Sequence, residues 1–295
     1  MREQVSRAGN IDERVAQHYA DLSETLQRAA DYVVRNPLEV ATRSLRSIAN
    51  ASGISAPTYS RLARALGYAS YEELREESRK AIGRSIEPFS TRAERLQSRA
   101  RSADPQAHFF AQQSQACIAN IDAQTKMIDP AALDAAVDAL HLARRVLIIG
   151  GLGSAGIADY FSYLASWFLD NWAVVGRTGF ALGTSLARTS REDVVIILAK
   201  SPFAARSIRA ADIAAERSAT LIVISDSHAC PALARADHRF LVPSESPQFF
   251  SSYSASIVLI ESIIGMLLAR SDTDAQARIR DVEAQNHRLE EFWTR

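Results

Sequence analysis

Residues 49–64 read ANASGISAPTYSRLAR, a stretch that predicts a helix, a tight turn and a second helix. Ala49 is small enough for two helices to cross closely, and Gly53 permits the left-handed backbone of an interhelical turn. Ser55 is placed to cap the second helix. The apolar side chains fall on one side of this pair, and the other side carries Ser55, Ala56, Pro57, Ser60, Arg61 and Arg64. This arrangement is typical of a DNA-reading helix-turn-helix.

The alternative for this stretch is an ordinary helical hairpin, since two helices joined at a glycine are common. The local charge favours DNA binding, because the charged residues between Ala41 and Tyr68 are all arginines: Arg43, Arg46, Arg61 and Arg64. The whole chain, by contrast, has 34 basic and 34 acidic residues. Arginine binds both guanine edges and phosphates. We therefore predict DNA contacts by Ser55, Ala56, Pro57, Ser60, Arg61 and Arg64.

Tyr59 occupies an inward position of the second helix. An aromatic ring there is expected to fill the core and to hold its hydroxyl at the rim of that core. We therefore assign Tyr59 to packing rather than to base contact.

The composition places the chain among two-domain proteins of a reducing compartment. Its 295 residues are 47% hydrophobic, enough for two cores. Cys117 and Cys230 are too few for a disulfide framework and lack metal-ligand spacing. The first residues show no apolar signal region, and the apolar runs are short. We expect a soluble cytoplasmic protein without a metal, a cofactor, a catalytic site or a membrane partner.

The N-terminal part of the chain is predicted to be all-α. The helical pattern stops before Asn36-Pro37, and Ser70-Tyr71-Glu72-Glu73 has the spacing of a capping box that opens a helix to about Ile82. Residues 83–104 combine glycine, proline, arginine and serine without a sustained apolar face, which is typical of a linker. The predicted domains are 1–82, which binds DNA, and 105–295, with a linker at 83–104.

The C-terminal part has a different pattern. After two helical segments, roughly 105–128 and 130–142, short continuous apolar runs alternate with helical stretches. These runs are Val146–Ile149, Ala173–Val175, Val194–Leu198 and Leu221–Ile224, with a fifth strand near Arg239–Val242. Buried parallel strands alternating with helices predict an α/β domain, a parallel sheet flanked by helices. Long helices at 249–270 and 274–292 complete it.

The loop Gly150–Gly156 follows the first strand and opens a helix. Such a loop presents backbone N–H groups to a ligand, which makes Gly151, Gly153 and Ser154 candidate binding residues. Three interpretations stay open: an anion or small-ligand loop, a structural glycine turn, and a dinucleotide fingerprint. The last would require an acidic residue after the second strand, where Val174-Val175-Gly176-Arg177 supplies none.

Two further strand ends carry polar residues. The third predicted strand ends at Ala199–Ser207 and the fourth at Ser225–His228, where an open α/β sheet places its ligand crevice. Lys200 or Arg206 are suited to hold an anion, and Ser201 or Ser225 to donate hydrogen bonds to it. Solvated side chains are the alternative for each. Asp226 and His228 lack a suitably spaced nucleophile, so structural or surface roles are expected for them.

Two sets of short motifs occur in order along the chain. The first set is Leu45–Ala49, Ser52–Thr58, Arg61-Leu62 and Ala65–Tyr68; the second is Gly151–Ser154, Asp193–Leu198, Leu221–Asp226 and Pro231–Asp237. With these motifs the chain resembles the RpiR/MurR family of bacterial transcriptional regulators, a helix-turn-helix followed by a sugar isomerase (SIS) domain. The resemblance implies an effector, usually a phosphorylated sugar, bound by the glycine loop and a Ser-x-Ser-Gly-x-Thr loop.

The second of those loops departs from the family pattern. Ala199–Ala204 reads AKSPFA, with proline in place of the glycine and alanine in place of the threonine. Proline removes a backbone donor that a phosphate loop would use. The segment looks closer to a divergent branch with a Pro-aromatic pair here and a Phe-Phe-x-Ser stretch, Phe249–Ser252. For that branch the ligand does not follow from the motif.

We expect a homodimeric or homotetrameric regulator that binds double-stranded operator DNA and senses a small metabolite, a sugar phosphate or another carbohydrate derivative. One alternative is a sugar-phosphate isomerase with an accessory helical domain. Another is a regulator whose second domain serves dimerisation alone.

Overall fold

A computed structural model describes residues 11–86, 88–100, 106–176 and 181–293. Contacts divide the chain into two compact units, Met1–Gln106 and Ala107–Arg295. The described elements of the first unit are all helical, and the second unit contains a five-stranded parallel sheet flanked by helices. The predicted fold class, an all-α domain followed by an α/β domain, is confirmed.

The first unit places its helix-turn-helix within a set of short helices. Its described helices are α1 (Ile11–His18), α2 (Glu24–Arg35), α3 (Pro37–Thr42), α4 (Leu45–Ser52), α5 (Ala56–Ala65), α6 (Tyr71–Ile86) and α7 (Phe89–Ala100), with a 3-10 turn at Tyr19–Asp21. Pro37 ends the predicted helix before it and also opens the short helix α3. The buried core joins the six helices α1 to α6. This core holds the helix-turn-helix in place.

The turn between α4 and α5 follows the prediction in its backbone and departs from it in one cap. Gly53 has a φ of +68°, the left-handed conformation that the turn requires. Ser55 precedes α5, but its side chain makes no cap hydrogen bond to a backbone N–H. The Ser55 hydroxyl instead pairs with the Thr58 hydroxyl at 2.9 Å. Ser55 is thus the N-cap residue by position and backbone, as predicted, but its side chain does not supply the cap bond, since the hydroxyl pairs with that of Thr58.

The predicted capping box at the start of α6 forms with one difference: the Glu73 carboxylate bonds the N–H of Ala69 instead of that of Ser70. The Glu73 N–H donates to the Ser70 hydroxyl, and the Glu73 carboxylate accepts from the Ala69 N–H. The helix continues to Ile86, beyond the predicted end near Ile82. The predicted linker 83–104 thus contains the end of α6 and all of α7, and its residues 101–104 lie outside the described residues.

The second unit alternates strands and helices. Its helices are α8 (Gln106–Met127), α9 (Pro130–Leu142), α10 (Ser154–Ser166), α11 (Leu182–Ala187), α12 (Ala205–Glu216), α13 (Ser254–Arg270) and α14 (Thr273–Arg288). Its strands are β1 (Arg145–Gly150), β2 (Trp172–Val174), β3 (Asp193–Ala199), β4 (Thr220–Ser225) and β5 (His238–Leu241), with a 3-10 helix at Pro231–Arg235. The strands lie within a residue or two of the predicted runs.

The sheet places a crevice beyond the carboxyl ends of its strands. Its strand order is β2-β1-β3-β4-β5 and every pairing is parallel. Because β2 and β3 lie on opposite sides of β1, the order reverses between β1 and β3, and ligands of such sheets bind beyond the strand ends at this point. The loops after β1 and β3 therefore face the same crevice.

Two hydrophobic cores cover the two faces of the sheet. One face packs against α9, α10 and α13, and the other against α11 and α12. In the first core, the rings of Phe161 and Trp172 meet edge to face with centroids 5.2 Å apart. No single described helix has the length and apolar composition needed to cross a bilayer; α13 and α14 meet that test as a pair, and the chain bends by 118° between them.

A buried carboxylate fixes the start of β3 against β1. The Asp193 side chain is fully buried and accepts hydrogen bonds from Arg144 at 2.7 Å, Arg145 at 3.0 Å and the Ser190 N–H at 2.9 Å. Burial opposes ionisation of Asp193, but the bonds from Arg145 and Ser190 and the two guanidinium charges outweigh it and hold its pKa below the ordinary value. These bonds join β1 and β3 at the amino ends of the strands, opposite the crevice.

Candidate DNA-binding and ligand-binding sites

The outward face of α5 carries the predicted DNA contacts. Ser55, Pro57, Arg61 and Arg64 are exposed, and Ala56 and Ser60 are partly exposed. The Arg61 guanidinium lies 3.4 Å from the Thr58 hydroxyl, a contact within its own helix. The structure thus brings the six predicted residues onto one accessible face. Small residues at the helix start and arginines further along suit an approach to the DNA groove.

The inward face of α5 is anchored by an aromatic cluster. The Tyr59 ring meets the rings of Tyr32 and Tyr71 edge to face, at 6.2 and 6.0 Å between centroids. The Tyr59 side chain is 0% exposed, and its hydroxyl is buried with it. The predicted packing role agrees with this position, but the predicted place of the hydroxyl at the rim was wrong.

The glycine loop after β1 lies close to the start of α12. A Cβ added at Gly151 would lie 2.4 Å from the Ala204 Cβ and 3.0 Å from the Ser207 hydroxyl oxygen, so this position requires glycine. A Cβ added at Gly153 would lie 3.1 Å from the Tyr253 hydroxyl. The third glycine of the possible dinucleotide fingerprint, Gly156, has nothing within 4 Å of such a Cβ. The close helix–strand packing of a dinucleotide fold therefore does not explain Gly156.

Lys200 is the buried cation of the crevice. It follows β3, and its ammonium donates to the Ser252 carbonyl oxygen at 2.8 Å and lies 4.7 Å from the centre of the Tyr253 ring. Burial lowers the pKa of Lys200 to about 8, while the charge of Asp226 acts in the opposite direction. The predicted site residue Lys200 thus lies inside the crevice, in a low-dielectric environment.

Asp226 joins the site from the end of β4, although the sequence suggested a structural or surface role. The Ser201 N–H donates to its carboxylate at 3.0 Å, and the Ser244 hydroxyl donates at 3.1 Å. Burial raises the pKa of Asp226, and the Lys200 charge and these hydrogen bonds counteract part of that effect. A carboxylate and an ammonium therefore sit together in one buried crevice. Because β3 and β4 are adjacent in the sheet, the sequence could have predicted that Lys200 and Asp226, which follow these strands, lie close together.

Tyr253, at the start of α13, closes the site and was missed by the sequence analysis. Its hydroxyl lies 3.0 Å from the hydroxyl of Ser154, the first residue of α10. The neighbouring Ser252 hydroxyl contacts Ser254 at 3.0 Å and the Cys117 thiol of α8 at 3.6 Å. Hydrogen bonds from Ser254 and Ser252 lower the pKa of the Cys117 thiol. The stretch Phe249–Ser252, noted in the sequence as unusual, leads directly into this cluster.

The remaining predicted residues differ in burial and position. The Ser225 hydroxyl is buried and donates to the Ser227 carbonyl at 3.4 Å, and Ser225 pairs in register with Ala199, the residue before Lys200. Arg206 is exposed near Gly176, and Arg177 lies outside the described residues. The described residues contain no group of three or more His, Cys, Asp or Glu side chains that could hold a metal ion. The six predicted ligand-binding residues, Gly151, Gly153, Ser154, Lys200, Ser201 and Ser225, lie on the loop after β1 and at the adjacent ends of β3 and β4.

An exposed basic helix of a helix-turn-helix, followed by a parallel-sheet domain with its crevice at the switch point, defines a DNA-binding transcriptional regulator of two domains. The family comparisons agree with this class. Residues 9–83 match the helix-turn-helix domain of the rpiR family, and residues 139–266 match the SIS domain. The chain belongs to the RpiR family of transcriptional regulators.

Individual relatives and solved structures are similar to this chain. The HTH-type transcriptional regulator HexR of Pseudomonas aeruginosa is 25% identical over 214 residues, 72% of each chain. The sugar isomerase domain of an RpiR transcription factor from Sphaerobacter thermophilus matches 59% of this chain and 97% of its own, with a TM-score of 0.56 and 23% identity. The NanR protein of Vibrio vulnificus, solved with ManNAc-6P, matches 95% of this chain and 99% of its own, with a TM-score of 0.55 and 18% identity. At these identities the two structures show the fold.

Proposed function

We propose that α5 reads operator DNA through Arg61 and Arg64 and that a small metabolite in the crevice of the SIS domain changes this binding. The observation that carries the proposal is the exposed face of α5, where both arginines stand beside Ser55, Ala56, Pro57 and Ser60. Arg43, by contrast, is paired with Glu39 at 3.3 Å. We therefore assign DNA binding to the arginines of α5 and not to Arg43.

The test of DNA reading is a gel shift with the region upstream of the gene. We expect Arg61→Ala and Arg64→Ala each to cost about 1–3 kcal/mol of binding free energy where the side chain contacts a base. Both variants should also reduce the salt dependence of binding, because each removes a cation near the phosphates. The matched control is Arg278→Ala on α14, whose guanidinium pairs with Asp170 at 3.2 Å. Unchanged affinity in the Arg61→Ala, Arg64→Ala double variant would contradict this placement.

The crevice supports a sensing role. Gly151, Gly153, Ser154, Lys200, Ser201 and Ser225 are our proposed ligand-binding residues; the complex of NanR with ManNAc-6P supports a phosphorylated amino sugar as one candidate. Calorimetry against a panel of sugar phosphates and other carbohydrate derivatives tests this. Absent heats together with unshifted melting would favour a regulator whose second domain serves dimerisation alone.

We propose that the chain is not an enzyme and acts in the cytoplasm. The isomerase alternative predicts aldose–ketose interconversion by the purified protein, and we expect none, because the loop at 199–204 replaces the phosphate-loop glycine with Pro202. Detection of such turnover would contradict this proposal and support the isomerase alternative.

A homodimer or homotetramer is the proposed assembly. Val258 and Leu268 on α13 are large apolar side chains that are partly exposed, and they support a second copy at that face. Two helix-turn-helix units related by a twofold axis would contact half-sites about 34 Å apart on a pseudo-palindromic operator. Light scattering of the full chain measures the subunit count, and a monomer at working concentration would contradict the assembly.

A further inference from the structure

The chain uses lysine very sparingly. Of its 34 lysines and arginines, three are lysines: Lys80, Lys126 and Lys200. The two side chains differ in one chemical property that matters here: the guanidinium of arginine stays protonated in proteins, whereas a lysine amine can lose its proton and become a nucleophile. Lys200 is therefore a cation in the ligand crevice that can lose its proton, in a chain whose other cations are nearly all arginines.

Burial shifts the Lys200 amine toward its neutral form relative to an exposed lysine. The residue is 9% exposed, and its described partners are the Ser252 carbonyl oxygen at 2.8 Å and the face of the Tyr253 ring. Burial, the largest effect, disfavours the ammonium, whereas these two contacts and the charge of Asp226 stabilise it only in part. With the pKa at about 8, about a tenth of the side chains carry a neutral amine at pH 7. An exposed lysine has a far smaller fraction of neutral amine at this pH.

We propose that the effector carries an aldehyde or ketone carbonyl and that Lys200 binds it as a reversible imine. The inference rests on the proposed ligand-sensing function and specifies its chemistry. The neutral Nζ attacks the carbonyl carbon, and a carbon–nitrogen bond forms. The carbonyl oxygen then leaves as water with the two amine protons, so that the carbon–nitrogen double bond replaces the carbon–oxygen double bond. No oxidant, metal or further reactant is consumed.

The walls of the crevice suit a polar carbonyl compound. The Ser154 and Tyr253 hydroxyls lie 3.0 Å apart beside the glycine loop and offer hydrogen bonds to hydroxyl groups of the ligand. The close approach of Gly153 to the Tyr253 ring brings the backbone of that loop to the same point. The Ser252 carbonyl, which now accepts from the lysine, would be left to a water or a ligand hydroxyl when the amine forms the imine. Reactive and orienting groups thus lie in one place.

The test uses glycolaldehyde as the probe and sodium cyanoborohydride to trap the imine at pH 7 on the full chain. Peptide mass spectrometry then compares the rate of hydroxyethyl labelling at Lys200 with that at exposed Lys126 on α8. We expect Lys200 to react at least about tenfold faster, because the fraction of neutral amine rises about tenfold for each unit by which the pKa is lowered. Equal or slower labelling of Lys200 overturns the proposal.

Two variants serve as controls. Lys126→Arg should leave the fast labelling intact, and Lys200→Arg should remove it while keeping a positive charge in the crevice. Lys200→Met provides a second check should the larger guanidinium disturb the fold, which circular dichroism monitors. Fast labelling that persists in both Lys200 variants would assign the reactive amine elsewhere and overturn the proposal.

A separate measurement distinguishes this inference from the sensing function. A metabolite that alters operator binding equally in the natural protein and in Lys200→Arg would sustain the sensor and overturn the imine. A carbonyl metabolite whose effect requires Lys200, and whose adduct borohydride traps on Lys200, supports both. Fast glycolaldehyde labelling without any effector response would support the reactive amine and count against the sensing function.

Discussion

At the scale of single residues, the most consequential charge outside the two sites is Asp193. Asp193 is the first residue of β3, and its carboxylate accepts hydrogen bonds from Arg144 and Arg145 at the start of β1. The arginine side chains are 47% and 29% exposed, so solvent screens part of the attraction, while the carboxylate itself is fully buried. Replacement by asparagine would remove the charge and leave one amide oxygen as the acceptor for both arginines, with a buried amide NH2 group beside the two guanidinium groups.

We predict that Asp193→Asn lowers the free energy of unfolding by about 1–3 kcal/mol at pH 7, as measured by urea denaturation. The folded-state pKa of Asp193 lies below its unfolded value. Its contribution is therefore complete above the unfolded pKa of about 3.9 and is lost as the pH falls through the folded pKa. The gap between variant and natural protein should accordingly narrow in acid.

The control for this prediction is Asp170→Asn. Asp170 also pairs with an arginine, Arg278, but its side chain is 79% exposed. Exposed ion pairs contribute little, so we expect a change of less than about 1 kcal/mol. Equal losses in the two variants would show that burial of Asp193 is not what gives its charge importance.

The sequence could predict individual site residues only where a motif or a strand end marked them. Lys200 and Ser201 follow an apolar run, and the glycine loop follows another, so both were accessible to pattern reasoning. Tyr253 contacts Ser154 across a separation of 99 residues, and that contact depends on how α13 packs against α10. Such long-range packing leaves no local signature. The buried hydroxyl of Tyr59 was missed for the same reason.

At the scale of elements, the turn of the helix-turn-helix depends on one backbone conformation. Gly53 has a φ of +68°, and a Cβ added there would meet nothing within 4 Å. Its requirement for glycine is therefore one of backbone strain and not of space. The strand bounds were predictable because apolar periodicity is local. The helices predicted at 249–270 and 274–292 instead span Ser254–Arg270 and Thr273–Arg288, so the first begins later and the second ends earlier than predicted. The continuation of α6 to Ile86 and the helix α7 were less predictable, because their sequences lack a sustained apolar face.

We predict that Gly53→Ala lowers the free energy of unfolding by about 1 kcal/mol and weakens operator binding, because alanine disfavours the left-handed region. Thermal melting and a gel shift measure the two effects. The matched control is Gly156→Ala within α10, where the added Cβ also meets nothing. There we expect a gain of up to about 1 kcal/mol, since alanine favours helix. A loss at Gly156 would mean that the loop needs this glycine for another reason.

At the scale of the whole molecule, the buried cores divide cleanly. One core is built from residues between Ile11 and Leu74, and the two cores of the sheet unit are built from residues between Ala136 and Ala275. Each core draws its buried residues from a single unit, so each half of the chain holds its own source of hydrophobic stabilisation. This agrees with the two domains expected from length and composition.

We predict that residues 105–295, expressed alone, fold with a cooperative melting transition and the mixed helix and strand signal of a parallel sheet. Circular dichroism and urea denaturation measure this. The same fragment should not retard operator DNA, because it lacks α4 and α5. A fragment ending at residue 240 is the control; it lacks α13, which supplies several residues of one core, and should fail to fold cooperatively. A non-cooperative 105–295 fragment would contradict the proposed boundary.

The packing of Trp172 against Phe161 has a further consequence, which concerns light. All three tryptophans, Trp167, Trp172 and Trp293, belong to the sheet unit, whereas the helix-turn-helix unit contains tyrosines such as Tyr32, Tyr59 and Tyr71. Indole emission therefore reports the unfolding of the sheet unit and is silent about the helical one. The natural chain thus carries its own optical label, and the spectral difference between indole and phenol can separate the melting of its two halves without any attached dye.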